Sequence, residues 1–407
     1  MRKKTIVGIM CFFAAMVLLS VVVFTRLLDP EADLQPEETM TETHMPDSGS
    51  AIESAQNTEY PIVHEPIEER AWEIMAEMSE REKICQMFVV YPEALGTVTG
   101  ADETLMSGLE NYPVGGFIFS AENLEAGSET TIETVTKMQE WSKLGLIITA
   151  DEEGGRVNRL MSTLGTTWVD NMFSYKDMGV NTAYENAATI AADLKAHGFN
   201  TDLAPVADVL TNPENTVIGD RAYSDDFQQA AELVSGAVRG FNDSGVVCAL
   251  KHFPGHGDTA EDSHFDAAIV RKSPEQLREE EFIPFVAGIE AGADMVMIGH
   301  LTIPMLGDEP ATVSREIVTG LLREEIGFDG VVITDSLEMG AITSYETGQL
   351  VVRAVNAGVD ILLGPDDLVR AVEGMELALG MGELTWERIE ESVIRILIMK
   401  LENGIIE

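Results

Sequence analysis

Residues 330–340 read Gly330-Val331-Val332-Ile333-Thr334-Asp335-Ser336-Leu337-Glu338-Met339-Gly340. A run of β-formers with no polar alternation is the pattern of a strand buried on both faces, as in a parallel sheet. The same pattern recurs along the chain. Strands are expected at Met87–Tyr91, Gly115–Ser120, Leu144–Ala150, Thr201–Pro205, Val246–Lys251, Met295–Gly299, Gly330–Thr334 and Asp360–Gly364. Amphipathic helical stretches lie between them, at Ala183–His197, Gln228–Asn242, Pro274–Ala291, Ser314–Ile326 and Thr347–Ala357. Eight strands alternating with helices predict an α/β fold, a (β/α)8 TIM-type barrel. An open doubly wound sheet shares the alternation but usually stops at fewer strands.

Upstream of the first strand the sequence changes character. Thr5 to Phe24 is an uncharged, mostly apolar run behind Arg2, Lys3 and Lys4. It has about the 20 residues a bilayer's hydrocarbon core requires, and the bases place its start in the cytoplasm. Residues 1–28 are therefore expected to be a membrane anchor, with a cleaved signal segment and a secreted product as the rival. From Asp29 to Tyr60 there are nine acidic residues and no Lys or Arg, which predicts a disordered tether over 29–60. Residues 61–407 are expected to form the barrel, outside the cell.

Composition narrows the function. The chain of 407 residues is 45% hydrophobic, enough for a sizeable core, and its net charge is −44. That field repels phosphate backbones, which excludes nucleic acid as a partner. Three cysteines without a CxxC pair argue against a disulfide scaffold and a thiolate zinc site.

Polar residues gather just after the strands, where barrel enzymes carry their sites. Asp335 follows the seventh strand directly, so it sits at the barrel mouth or caps the next helix. The segment Asp151-Glu152-Glu153-Gly154-Gly155-Arg156-Val157-Asn158-Arg159 offers carboxylates and guanidiniums to a polyhydroxylated ligand, or forms surface ion pairs. Asp220-Arg221 lies in a long loop with the same two readings. After the fifth strand comes Lys251-His252-Phe253-Pro254-Gly255-His256-Gly257-Asp258-Thr259-Ala260-Glu261-Asp262-Ser263-His264. It can be a catalytic loop in which Asp262 raises the basicity of His264. It can equally be a self-satisfied polar loop, or a metal site. The His252/His256 spacing suits helical zinc ligands, but Pro254, Gly255 and Gly257 oppose a helix.

The fourteen-residue loop resembles the signature of the β-N-acetylglucosaminidases of glycoside hydrolase family 3. The resemblance continues through Asp151-x-Glu153-Gly154-Gly155-Arg156-Val157-x-Arg159, Gly219-Asp220-Arg221, Pro310-Ala311-Thr312-x-Ser314 and Ile333-Thr334-Asp335-Ser336. It runs in order over roughly residues 66 to 400. It implies a retaining glycosidase on a (β/α)8 barrel, in the single-domain form, that releases terminal β-linked N-acetylglucosamine, often from peptidoglycan fragments. By motif, Asp335 is then the nucleophile, His264 the acid/base and Asp262 its partner. Asp151, Arg159, Arg221, Lys251 and His252 hold the sugar hydroxyls. No metal and no organic cofactor is implied. Ala267-Ala268 departs from the Leu-Pro that commonly follows the Asp-Ser-His, at the loop's far hinge. The family's β-glucosidase branch, a wall-binding barrel without turnover and a metal-dependent hydrolase using His252, His256 and His264 are the alternatives.

Overall fold

Eight short parallel strands form within the apolar runs or overlap them. The computed structural model describes residues 67–259, 268–342 and 344–407. In chain order the strands are β1 (Phe88–Val90), β2 (Gly116–Ile118), β3 (Ile147–Thr149), β4 (Thr201–Asp202), β5 (Val247–Phe253), β6 (Met295–Ile298), β7 (Val331–Thr334) and β8 (Leu362–Leu363). They pair in parallel as two four-stranded sheets, β8-β1-β2-β3 and β4-β5-β6-β7. The sheet edges also meet through the main chain. Asn200 N–H donates to the Ile148 carbonyl at 3.1 Å and Leu203 N–H to that of Ala150 at 3.0 Å. At the other edge Thr334 N–H donates to the Ile361 carbonyl at 3.0 Å. The fold is α/β with mostly parallel sheets. A separate two-stranded parallel ladder pairs Ala268–Ile269 with Leu301–Thr302.

Every residue of β1, β2, β3, β5, β6 and β7 is buried, which is why these strands read as unbroken apolar runs. The helix Thr347–Ala357 spans the expected residues, and Val180–Ala196 and Phe227–Asp243 lie within three residues of expectation at each end. The stretch Pro274–Ala291 differs: it forms two helices, Pro274–Glu279 and Phe282–Glu290. Pro284 explains the break. It has no N–H for the carbonyl of Glu280 and its ring crowds that group, so it is tolerated only in the first turn of a new helix.

The last helix, Trp386–Glu402, closes the floor beneath the strands. Its Lys400 is fully buried, and Nζ donates to Gln86 Oε1 at 2.9 Å and to the carbonyls of Gly115 at 2.9 Å and Gly145 at 2.8 Å. Burial pulls the amine's pKa down to about 7. The three acceptors nevertheless match the three N–H groups of an ammonium, and losing them would cost about 1–3 kcal/mol for each acceptor left dry.

The anchor expected at 1–28 and the tether at 29–60 lie outside the described residues. Among the described residues no helix is long and apolar enough to cross a membrane.

Candidate active site

The polar residues flagged after separate strands meet in one cavity of about 400 Å³ at the C-terminal ends of the strands. Asp151, Arg159, Arg221, Lys251, His252 and Asp335 all line it. They come from four segments far apart in sequence, with Lys251 and His252 inside β5 itself.

The Asp151–Arg159 loop is a tight hairpin. Gly154 and Gly155 take φ of 89° and 57°, left-handed backbone that side chains disfavour, and Gly154 pairs with Val157 across the turn. Glu152 turns away from the cavity. Its buried carboxylate accepts the N–H groups of Arg159 at 2.5 Å, Leu160 at 2.8 Å and Met161 at 2.9 Å, at the start of the helix Leu160–Leu164. Holding the helix start in this way fixes Arg159 at the cavity wall.

Glu153 is the hub of the cationic side. Lys251 Nζ lies 2.6 Å from its Oε1, and the Arg221 guanidinium grips it in a fork at 2.7 and 2.8 Å. Burial alone would raise the pKa of this carboxyl, but Arg221 and Lys251 outweigh it and hold the group far below the ordinary range. Lys251 also reaches Asp151 Oδ1 at 2.7 Å, and Arg159 Nη2 sits 3.3 Å from Asp151 Oδ2. For Lys251 the burial penalty is likewise outweighed, here by Asp151 and Glu153, so its pKa rises and the ammonium persists.

Asp335 is the first residue beyond β7 and is half-buried. Its N–H donates to the Ile298 carbonyl of β6 at 2.9 Å, and its Oδ1 accepts Ser336 N–H at 2.8 Å. Burial pushes the carboxyl up, but His252, His300, that N–H and Lys251 together bring it below the ordinary carboxylate value. A charged, oriented carboxylate therefore faces a cavity walled by hydrogen-bond donors and acceptors. Such a group can attack an electrophilic carbon, and the surrounding charges of both signs can hold hydroxyls.

His252 and His256 do not stand on a helix. The first is the penultimate residue of β5 and the second lies in the loop beyond, with ring centroids 5.9 Å apart. Nδ1 of His252 is taken by Asp208 at 2.7 Å, and Nδ1 of His256 by Thr259 Oγ1 at 2.8 Å. The loop packs tightly: a Cβ on Gly257 would lie 1.7 Å from the Val209 carbonyl oxygen. Asp262 and His264 lie outside the described residues. Among the described residues no cluster of three His, Cys, Asp or Glu could hold a metal ion.

Several lining or supporting residues were not singled out by sequence reading. Glu153 stood in the quoted motif, but nothing in the sequence gave it a role apart from its acidic neighbours. Asp208 lies between Ala207 and Val209 with no motif around it. Tyr91 and Met297 look like ordinary strand-end residues, although both line the cavity. His300, with Nε2 2.8 Å from the Ser336 carbonyl and Nδ1 2.6 Å from Thr312 Oγ1, braces the turn that carries Asp335.

Comparison with known proteins gives the family. Residues 79–399 match the family described as Glycosyl hydrolase family 3 N terminal domain. Beta-hexosaminidase A of Pseudoalteromonas piscicida is 34% identical over 322 residues, 72% of this chain and 54% of that protein. Beta-hexosaminidase LpqI of Mycobacterium tuberculosis is 33% identical over 345 residues, 81% of this chain and 85% of that protein. Among solved structures, a glycoside hydrolase family 3 beta-N-acetylglucosaminidase from a Paenibacillus species superposes with a TM-score of 0.76 at 36% identity, over 81% of this chain and 63% of that one. The chain thus spans about half the length of the first relative and most of the second.

Proposed function

Because the chain belongs to glycosyl hydrolase family 3, we propose that it is a retaining β-N-acetylhexosaminidase, releasing terminal β-linked N-acetylglucosamine from peptidoglycan fragments. The observation that carries the reading is the ionised Asp335 carboxylate at the end of β7, facing a cavity sized for a sugar. In the first step an Asp335 oxygen attacks the anomeric carbon as the glycosidic bond breaks. His264, partnered by Asp262, gives its proton to the departing oxygen. In the second step the neutral imidazole takes a proton from water, the hydroxide bonds to the anomeric carbon, and the ester to Asp335 breaks. Asp151, Arg159, Lys251 and His252 hold the sugar hydroxyls, and Arg221 acts mainly by keeping Glu153 charged and in place. The same reading makes the two sheets halves of one closed (β/α)8 barrel, supported by the hydrogen bonds between their edges.

The test is product analysis on a disaccharide with terminal β-linked N-acetylglucosamine, followed by NMR from the first turnover, with and without phosphate. β-configured N-acetylglucosamine should appear first in both conditions. First-formed α-sugar, or no cleavage while β-glucosides are cleaved, overturns the proposal, and a sugar 1-phosphate overturns hydrolysis.

For location, the uncharged run Thr5–Phe24 behind Arg2, Lys3 and Lys4 supports a membrane anchor with the catalytic unit outside. Activity should then sediment with washed membranes. Recovery of the protein from the medium with a new N-terminus after residue 24 would show cleavage instead.

A further inference from the structure

Asp208 is a fully buried carboxylate beside the cavity. The segment after β4 runs alongside the end of β5: Val206 bridges Lys251, and Ala207 N–H donates to the Lys251 carbonyl at 2.7 Å. That pairing puts Asp208 under the turn at His252, where it accepts three donors. His256 N–H reaches Oδ1 at 2.7 Å, His252 N–H reaches Oδ2 at 3.1 Å, and His252 Nδ1 reaches Oδ2 at 2.7 Å.

The two backbone donors do not by themselves call for a charge. An amide oxygen would accept them without the penalty of burying a carboxylate. The third contact does call for one. Its length is that of a charge-assisted hydrogen bond, and it requires the proton on Nδ1. Because His252 lines the cavity, Nε2 is the nitrogen left to face what binds there. His252 also stands near enough to Asp335 to favour its ionised form. Burial raises the Asp208 carboxyl, and the two imidazoles and the His256 N–H bring it below its ordinary value.

We propose that Asp208 is a positioning residue for the reaction. It holds the His252 ring with Nδ1 protonated, so that Nε2 is presented to the substrate in the same orientation and tautomer at every turnover. The proposal rests on the glycosidase reading for its kinetic consequence, though not for the tautomer. Loss of the carboxylate behind a metal-bound imidazole costs about 10- to 100-fold, and a loss of the same order is expected for one that fixes a substrate-facing imidazole. An Asn at this position keeps an acceptor for the backbone but offers an N–H to Nδ1, which moves the imidazole proton to Nε2.

The experiment uses the full chain and the four proteins of a double-mutant cycle: wild type, Asp208→Asn, His252→Ala and the pair. With an aryl β-N-acetylglucosaminide, Asp208→Asn should lower kcat/KM about 10- to 100-fold, most of it in kcat. In the His252→Ala background the same change should cost no more than about twofold, because the ring through which Asp208 acts is gone. Multiplicative losses would assign Asp208 to loop architecture and overturn the proposal. Nitrogen-15 NMR of histidine-labelled protein gives a readout independent of turnover. His252 should carry its proton on Nδ1 in the wild type and on Nε2 in Asp208→Asn. A wild-type ring protonated only on Nε2 overturns the proposal even if the Asn variant fails to fold. If the wild type cleaves no β-N-acetylglucosaminide, the functional reading fails, and the tautomer measurement still decides this one.

Discussion

Asp335→Asn should reduce turnover by at least about four orders of magnitude while leaving the fold intact. The substitution keeps the shape and the acceptor for Ser336 N–H, but it removes the charge that the proposed mechanism uses to attack the anomeric carbon. A 2-fluoro sugar with a good leaving group should label Asp335 in the wild type and nothing in the variant, read by mass spectrometry of peptides. Labelling at Glu338, which is exposed on the same turn, or full activity in the variant, would remove Asp335 from its role. Stability offers a second signature. The folded carboxyl sits below its unfolded value, so the unfolded chain takes up this proton first as pH falls. The wild type should therefore lose stability relative to the variant as pH drops through the carboxylate range near 4.

His264→Ala should divide substrates by their leaving groups. Natural disaccharides depart as strongly basic alkoxides and need the proton, so their cleavage should fall by about 10²- to 10⁴-fold. Nitrophenyl substrates leave without help, so formation of the glycosyl-enzyme should be little changed. The second step then limits turnover, since no base remains to deprotonate water, and azide should relieve it by forming a glycosyl azide of retained configuration. Asp262→Asn should give a milder version of the same pattern. Equal damage to both substrate types without azide rescue would make His264 structural and reopen the search for the acid.

The sequence exposed those parts of the fold that depend on local chemistry. Runs such as Val331–Thr334 are apolar on both faces because both faces are buried, and each of the eight expected strands has a counterpart. Asp335, Lys251 and Asp151 were legible because motif and strand end coincide. Asp208 was not, because its meaning lies in a partner 44 residues away and nothing in Ala207-Asp208-Val209 signals a buried charge. Glu153 hid in plain view. Three adjacent acids look alike in sequence, yet one caps a helix, one anchors Arg221 and one faces the cavity. The break before Phe282 was readable from Pro284 and was outweighed by the amphipathic period on either side.

The contacts of Lys400 bear on how this protein can be assembled and shortened. Its partner carbonyl at Gly115 lies 285 residues earlier in the chain. The floor under β2 and β3 therefore stays open, with its carbonyls wet, until the last helix has been made and has docked. Contacts this remote form late, because a long loop must close before they return any free energy. Every residue lining the cavity lies between Tyr91 and Met339, so a minimal enzyme drawn around the chemistry would stop well before Trp386. Such a fragment would carry every described cavity residue on an unfinished scaffold. Libraries that vary or trim the helix Trp386–Glu402 would then fail through yield rather than through catalysis.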